Sequence, residues 1–341
     1  MQRNFILTDV MKTGANQDVK NFIDLNTLKN QQFVYEADYY NLSNYDLGTF
    51  DRRIAIIDAR HDNLKFQNSA TFNDDFKKRC DLLHSQDFRF IQNTGWESLE
   101  NIKKTDLYPV LKMDHMIWSG GVSWFWAFMY HKHHNNKLDF DHTHKKYDFL
   151  YLNKQKRDHR TKLYDVLMEK GMLTNSLYTN WPDRKLSAEY ELPWAQDYPF
   201  YGMDQDIYEK PYNDTKYSLI SESNNNNTDV FITEKLWKAI IAQHIFVVHG
   251  NYLYLQKLRE IGFKTFSQWI DEGYDLELDH DKRIDKIVHT CNQLRNENWK
   301  DLYLQTQSLR KHNLNVFFNK EKLSLQINKT INLFLEFADS R

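Results

Sequence analysis

Residues 217–250 contain Tyr217-Ser218-Leu219-Ile220-Ser221-Glu222-Ser223, a polar loop, Phe231-Ile232-Thr233-Glu234-Lys235-Leu236-Trp237-Lys238-Ala239, and then Ile245-Phe246-Val247-Val248-His249-Gly250. Two short apolar runs flank a helix-compatible segment that extends to about Gln243, which predicts a strand, a helix and a second strand joined as a βαβ crossover. Thr233 is a good N-cap, and it puts Glu234 and Lys235 in the first helical turn, where backbone N–H groups have no intrahelical partner. A lysine there works against the helix dipole by roughly 0.3–1 kcal/mol at exposed sites. Two readings account for it: an anion bound at the helix start, or local neutralisation by Glu234 or a neighbour one turn on.

Working outward, Tyr147-Asp148-Phe149-Leu150-Tyr151-Leu152-Asn153 reads as a strand, followed by a charged loop from Lys154 to Arg160. An amphipathic helix follows through Leu163, Val166 and Leu167, with Lys170-Gly171 as its expected end. This order points Arg157, His159 and Arg160 at the carboxyl edge of a sheet, where open α/β sheets bind ligands and helix N-termini bind phosphates. The stretch Asp183 to Asp214 shows no sustained period and reads mostly as loop, and the chain after about Asp279 reads as helix.

Toward the N-terminus, the runs Phe5-Ile6-Leu7, Phe33-Val34-Tyr35, Ile54-Ala55-Ile56-Ile57 and Phe88-Arg89-Phe90-Ile91 alternate with polar, helix-compatible segments. That predicts a second α/β layer with a mostly parallel sheet. Asp58 follows the third run, and there a turn or cap role outweighs a ligand role. The aromatic run Trp118 to Tyr130 reads as core packing around a Gly-Gly turn, with a stacking platform as the sharper alternative. His131 to Lys146 reads as a polar linker. A zinc site built from His131, His133, His134, Asp139, Asp141, His142 and His144 is the alternative there.

The composition fits this picture. A chain of 341 residues exceeds the usual size of one core, so two lobes are expected. With 41% hydrophobic residues it can fold throughout. Forty-five basic against 47 acidic residues give a net charge of −2, so charge balance does not point to nucleic acid or an anionic membrane. Two distant cysteines, Cys80 and Cys291, build neither a disulfide framework nor a multi-cysteine metal site. No run of about 18 apolar residues predicts a membrane span, and the first residues do not read as a signal peptide, so a cytoplasmic location is expected.

The pattern strand-Glu-Ser, loop, Phe-Ile-Thr-Glu-Lys-Leu-Trp-x-Ala, apolar strand, Gly250 resembles the donor-binding segment of the fucosyltransferases of glycosyltransferase family 10. The resemblance covers Tyr217 to Thr265. It departs at Ser221-Glu222-Ser223, where the family has Phe-Glu-Asn, and after Gly250, where Asn251-Tyr252 replaces a small residue and Pro. It implies a GT-B fold: two Rossmann-like lobes facing a central cleft. Residues 1–140 would form the acceptor lobe, 147–290 the donor lobe, and 291–341 C-terminal helices packing across both.

The implied reaction is inverting, metal-independent transfer of a sugar, such as fucose from GDP-fucose, to a hydroxyl of a glycan or another acceptor. No cofactor beyond the nucleotide sugar is implied. By resemblance, Glu234 contacts the donor ribose, Lys235 and Arg160 contact the diphosphate with Arg157 as a second candidate, and Glu222, Ser223 and Asn224 end the donor strand. Thr233 caps the helix. The base would be a first-lobe carboxylate, with Glu97, Asp106 and Asp114 as candidates. Family members from animals begin with a membrane anchor that this chain lacks, which suggests a bacterial or viral enzyme. The alternatives are a non-catalytic nucleotide- or carbohydrate-binding protein of the same fold, and a metal-dependent hydrolase using the histidine-rich stretch.

Overall fold

The structure is a computed structural model that describes residues 4–9, 32–36, 39–59, 74–94, 115–118, 139–153, 156–179, 186–188, 207, 209–223, 225, 230, 232–319, 321 and 336. The chain divides into two compact units, Met1–Gly121 with Ser324–Arg341, and Val122–Leu323. Among the described residues, no helix is long and apolar enough to cross a membrane.

The first unit holds a parallel sheet of five strands, β1 (Asn4–Asp9), β2 (Gln32–Glu36), β3 (Arg52–Ala59), β4 (Arg89–Thr94) and β5 (His115–Trp118), in the order β2-β1-β3-β4-β5. All four runs expected to be strands are strands. The fifth, His115–Trp118, lies before the aromatic run and went unread, because four residues carry too little pattern to register. Asp58 sits inside β3, which runs on to Ala59. Helix α1 (Asp74–Ser85) connects β3 to β4; its Cys80 and Leu83 are buried in the same core as Ile54, Ala55, Phe88 and Phe90.

The second unit is built on a four-stranded parallel sheet of β6 (Tyr147–Tyr151), β7 (Leu177–Tyr178), β8 (Thr215–Ser221) and β9 (Ile245–His249), in the order β7-β6-β8-β9. Every residue of β9 is buried, as expected of a strand covered on both faces. The crossover read from residues 217–250 is present: β8 leads through helix α4 (Glu234–Ile241) to β9, with Tyr217 opposite Ile245 and Ser221 opposite His249. Thr233 caps α4 by accepting from the Lys235 amide. Leu236, Trp237, Ala239, Ile240 and Ile241 form the buried face of α4, and Trp237 packs on Phe263 and Phe317.

Helix α2 (Asp158–Glu169) follows β6 and stops where expected, at Lys170 and then Gly171 with a positive φ of 65°. Helix α3 (Glu209–Asp214) corrects the expected loop. Pro211 hid it, yet proline is tolerated in a first helical turn, and Pro211, Tyr212 and Asp214 are buried. Beyond β9 come α5 (Tyr254–Glu260), α6 (His280–Asn296), α7 (Trp299–Gln305) and α8 (Gln307–Phe318). Asp279 caps α6, which runs without a break through residue 290, the expected edge of the donor lobe.

Candidate functional site

In the second sheet, the chain leaves β6 for β7 on one side and later returns to β8 on the other. The reversal point therefore lies between the adjacent strands β6 and β8. In open parallel sheets, the crevice beyond the carboxyl ends at such a point is where ligands bind. Helix α2 begins seven residues after β6 and helix α4 thirteen residues after β8, and both direct their N-termini toward this edge. Amide groups and helix dipoles there favour an anion.

Three of the expected residues meet on one atom. Ser223 Oγ accepts from Arg160 Nη2 at 3.3 Å and from Lys235 Nζ at 3.4 Å. Two cations occupy its lone pairs, which leaves the hydroxyl proton to be donated. Arg160 is only 3% exposed and donates through Nε to the Glu222 carbonyl at 3.1 Å, while the Tyr151 hydroxyl bonds the Arg160 carbonyl at 3.4 Å. Burial, then Arg157, pulls the Arg160 guanidinium below its ordinary value. Arg157 stands at the N-cap of α2 with extended backbone and no side-chain capping bond.

Glu222 follows β8 directly, as expected of the residue ending that strand, and its carboxylate is turned into the protein. It is 0% exposed and both carboxylate oxygens are engaged: Oε1 by the Thr233 amide at 3.1 Å and the Tyr254 hydroxyl at 2.6 Å, Oε2 by the Thr233 hydroxyl at 2.5 Å. It braces the end of β8 against the cap of α4. Glu234 pairs with Lys235 at 2.7 Å, which is the local neutralisation considered above. Burial works to raise the Glu234 carboxyl, but Lys235 and Lys238 outweigh it and hold it below the ordinary carboxylate range. Lys235 also reaches Thr233 Oγ1 at 3.2 Å, so it remains anchored at the helix start.

Gly250, directly after β9, is required by contact: a Cβ there would stand 2.7 Å from Cδ2 of Tyr254, the ring whose hydroxyl holds Glu222. Arg283 on α6 donates to the Gly250 carbonyl at 2.8 Å and fixes the same turn.

Four polar residues at this edge were not singled out for the site. Asn153, beyond the end of β6, is 2% exposed; its amide lies beside the Tyr151 hydroxyl and makes no close hydrogen bond among the described residues. His249 closes β9, is 0% exposed, and meets Ser221 Oγ through Nδ1 at 3.3 Å, while its Nε2 has no partner among the described residues. His280 opens α6, and Tyr254 holds Glu222. Position at a strand's carboxyl end is the signal that finds the first two. His159, which was pointed at this edge, donates from Nε2 to the Glu222 carbonyl at 3.0 Å, beside the bond from Arg160.

Asn224 and the candidate bases Glu97, Asp106 and Asp114 lie outside the described residues, as do His131, His133 and His134. The described part of the histidine-rich stretch is not an open linker: Phe140 packs on Tyr212, His142 packs on Tyr303 and His244, and Lys145 donates to the Tyr212 carbonyl at 3.0 Å. Among the described residues, no group of three His, Cys, Asp or Glu side chains is arranged to hold a metal ion. The chain matches no family model and no curated protein.

Proposed function

We propose that this chain is an inverting glycosyltransferase of the GT-B kind, with the second unit holding a nucleoside-diphosphate sugar, preferably a GDP-sugar, and the first unit providing the acceptor side. One observation carries the reading: Arg160 and Lys235, from two different βα units, converge on Ser223 Oγ at the point where the strand order reverses, beside two helix starts. Two basic groups and two helix starts at such a crevice suit a diphosphate.

The chemistry follows from charge. As the bond from the anomeric carbon to the diphosphate oxygen breaks, negative charge grows on the leaving group. Cations fixed beforehand stabilise that state more than the intact donor, and losing one such group typically costs about 10²–10³ in rate. Arg160 is held in place by its carbonyl and hydroxyl partners, and Lys235 by Glu234, so little reorganisation is needed. A carboxylate takes the acceptor hydroxyl's proton as the new C–O bond forms on the opposite face, inverting the centre. Glu222 and Glu234 are occupied by their partners, so this reading draws the base from Glu97, Asp106 or Asp114. The leaving group's charge is met by side chains and helix dipoles, so the reading calls for no metal.

The test is thermal unfolding with GDP and other nucleoside diphosphates. At about 100 times Kd, stabilisation near 2.7 kcal/mol is expected. Lys235→Ala should remove this shift; its ion pair with Glu234 is largely buried, so the variant should also lose about 1–3 kcal/mol of unliganded stability, and the shift is read relative to the variant's own unliganded melting. Unchanged melting with every nucleotide would falsify the assignment. A shift without any transfer or donor hydrolysis would identify a binding protein instead.

A further inference from the structure

The same edge holds three imidazoles for which the diphosphate reading has no use. The ring of His249 stands edge-on to His159, with centroids 5.7 Å apart, and stacks on His280 at 5.1 Å. They come from three elements: the first turn of α2, the end of β9 and the first residue of α6. A carbonyl can only accept, so His159 bears its proton on Nε2 and Nδ1 keeps a lone pair. His249 Nε2 has no hydrogen-bond partner among the described residues. Two of the rings therefore have a nitrogen that is not needed for any described bond.

The charges facing the cluster are mostly positive. From α2 come Arg157 and Arg160, with Lys162 beside His280; from α6 come Arg283 and Asp281, and Asp279 stands at its cap. Strand β8 contributes only the Ser221 hydroxyl and the Glu222 carbonyl, because the Glu222 carboxylate is turned to Thr233 and Tyr254. Asn225, in the loop that follows Ser223, lies 3.0 Å from Nδ1 and 3.2 Å from Nε2 of His280. Burial and this cationic surplus keep the rings neutral, pushing His159 down to about 4 and His249 well below the ordinary histidine range.

Resting on the diphosphate reading of this site, we infer that the edge takes up a proton as it takes up its anion, and that the proton goes to the cluster of His159, His249 and His280. An anion at Ser223 offsets the field of Arg160, and that field is part of what keeps His159 and His249 uncharged. Coupling is reciprocal, so a proton on the cluster tightens the anion by the factor by which the anion favours the proton. The site then prefers its ligand under mildly acidic conditions and releases it as pH rises.

Histidine-ring NMR over pH 4–8 tests this on the full chain. Sulfate is the first probe, because its charge is constant over that range, with chloride at matched ionic strength as reference and GDP as the second arm. A cluster midpoint about one pH unit higher in sulfate is expected, which from a start near 4 makes sulfate binding about twofold tighter at pH 5 and about fivefold tighter at pH 4 than at pH 8. His159→Asn and His280→Gln should each flatten this dependence; an unchanged dependence in both places the proton elsewhere and overturns the assignment. Binding of sulfate or GDP without movement of any of these rings also overturns it, while the nucleotide reading stands. Imidazole movement with sulfate but no GDP binding keeps the inference and removes the nucleotide. No binding of either probe overturns both.

Discussion

The two ends of the second sheet use the same kinds of residue and finish differently. At the amino end, His244 engages both ring nitrogens, with Ser218 Oγ at 3.0 Å and the Tyr212 carbonyl at 2.8 Å. Lys145 donates to His142 Nδ1 and the Tyr212 carbonyl, both at 3.0 Å. Arg310 bonds Thr306 Oγ1, the Gln243 carbonyl and the Tyr303 carbonyl, and lies 3.3 Å over the Tyr303 ring. Among the described residues, single atoms are left over at this end on His142 (Nε2), Tyr217 (the hydroxyl) and Arg295 (Nε), each on a residue fixed by other contacts. At the carboxyl end, two cations share one serine hydroxyl, while among the described residues His249 Nε2 has no partner and the Asn153 amide makes no close bond. A buried polar group left unsatisfied costs free energy, and a ligand can offset that cost. The amino end ties helices to the sheet, and the carboxyl end gathers two cations on one hydroxyl where the strand order reverses, which is where chemistry fits.

The widest test of this contrast is acid stability. His244 and His249 are fully buried, and burial, helped by neighbouring cations and imidazoles, holds both well below the ordinary histidine value. Below about pH 6.5 the unfolded chain binds protons that the folded chain refuses, so stability falls as pH falls. Each ring contributes up to about 1.4 kcal/mol per pH unit. Urea unfolding from pH 7 to 5 should show this slope, and His244→Gln should reduce it by about that amount. A flat profile would mean these rings accept protons in the folded state.

Next in size is Arg310→Ala. It strips bonds from two backbone carbonyls and one hydroxyl, and hydrogen bonds to charged groups contribute about 1.5–3 kcal/mol each. A loss of about 3–5 kcal/mol is expected by chemical denaturation, with nucleotide binding intact in the folded fraction. If binding vanished while stability held, the two ends would have exchanged roles.

A smaller effect is expected from Gly250→Ala, about 1–3 kcal/mol, from the clash with the Tyr254 ring. Because that ring's hydroxyl holds Glu222, the variant should also weaken nucleotide binding. Stability lost without any change in affinity would show that the brace does not reach the site.

The sequence carried the sheet well and the site in part. Seven of the nine described strands, each marked by an apolar or aromatic run, the Thr233 cap and the Gly171 stop follow from local chemistry and were readable, whereas the short β5 and β7 were not. Helix α3 was not, since Pro211 masks its period. The convergence of Arg160 and Lys235 was readable because each begins a helix after a strand, and topology does the rest. The role of Glu222 was not, because it depends on Tyr254, 32 residues away, and on a hydroxyl whose direction no spacing encodes. The histidines at 249 and 280 were passed over for the same reason: their meaning lies in being neighbours across three elements.

The close approach of Gly250 to Tyr254 has a consequence for how this chain can change over generations. A side chain at 250 costs stability while the ring stays, and removing the ring deprives Glu222 of its phenol partner. The two positions therefore form one heritable unit, which drifts together with a new partner for the carboxylate or does not drift at all.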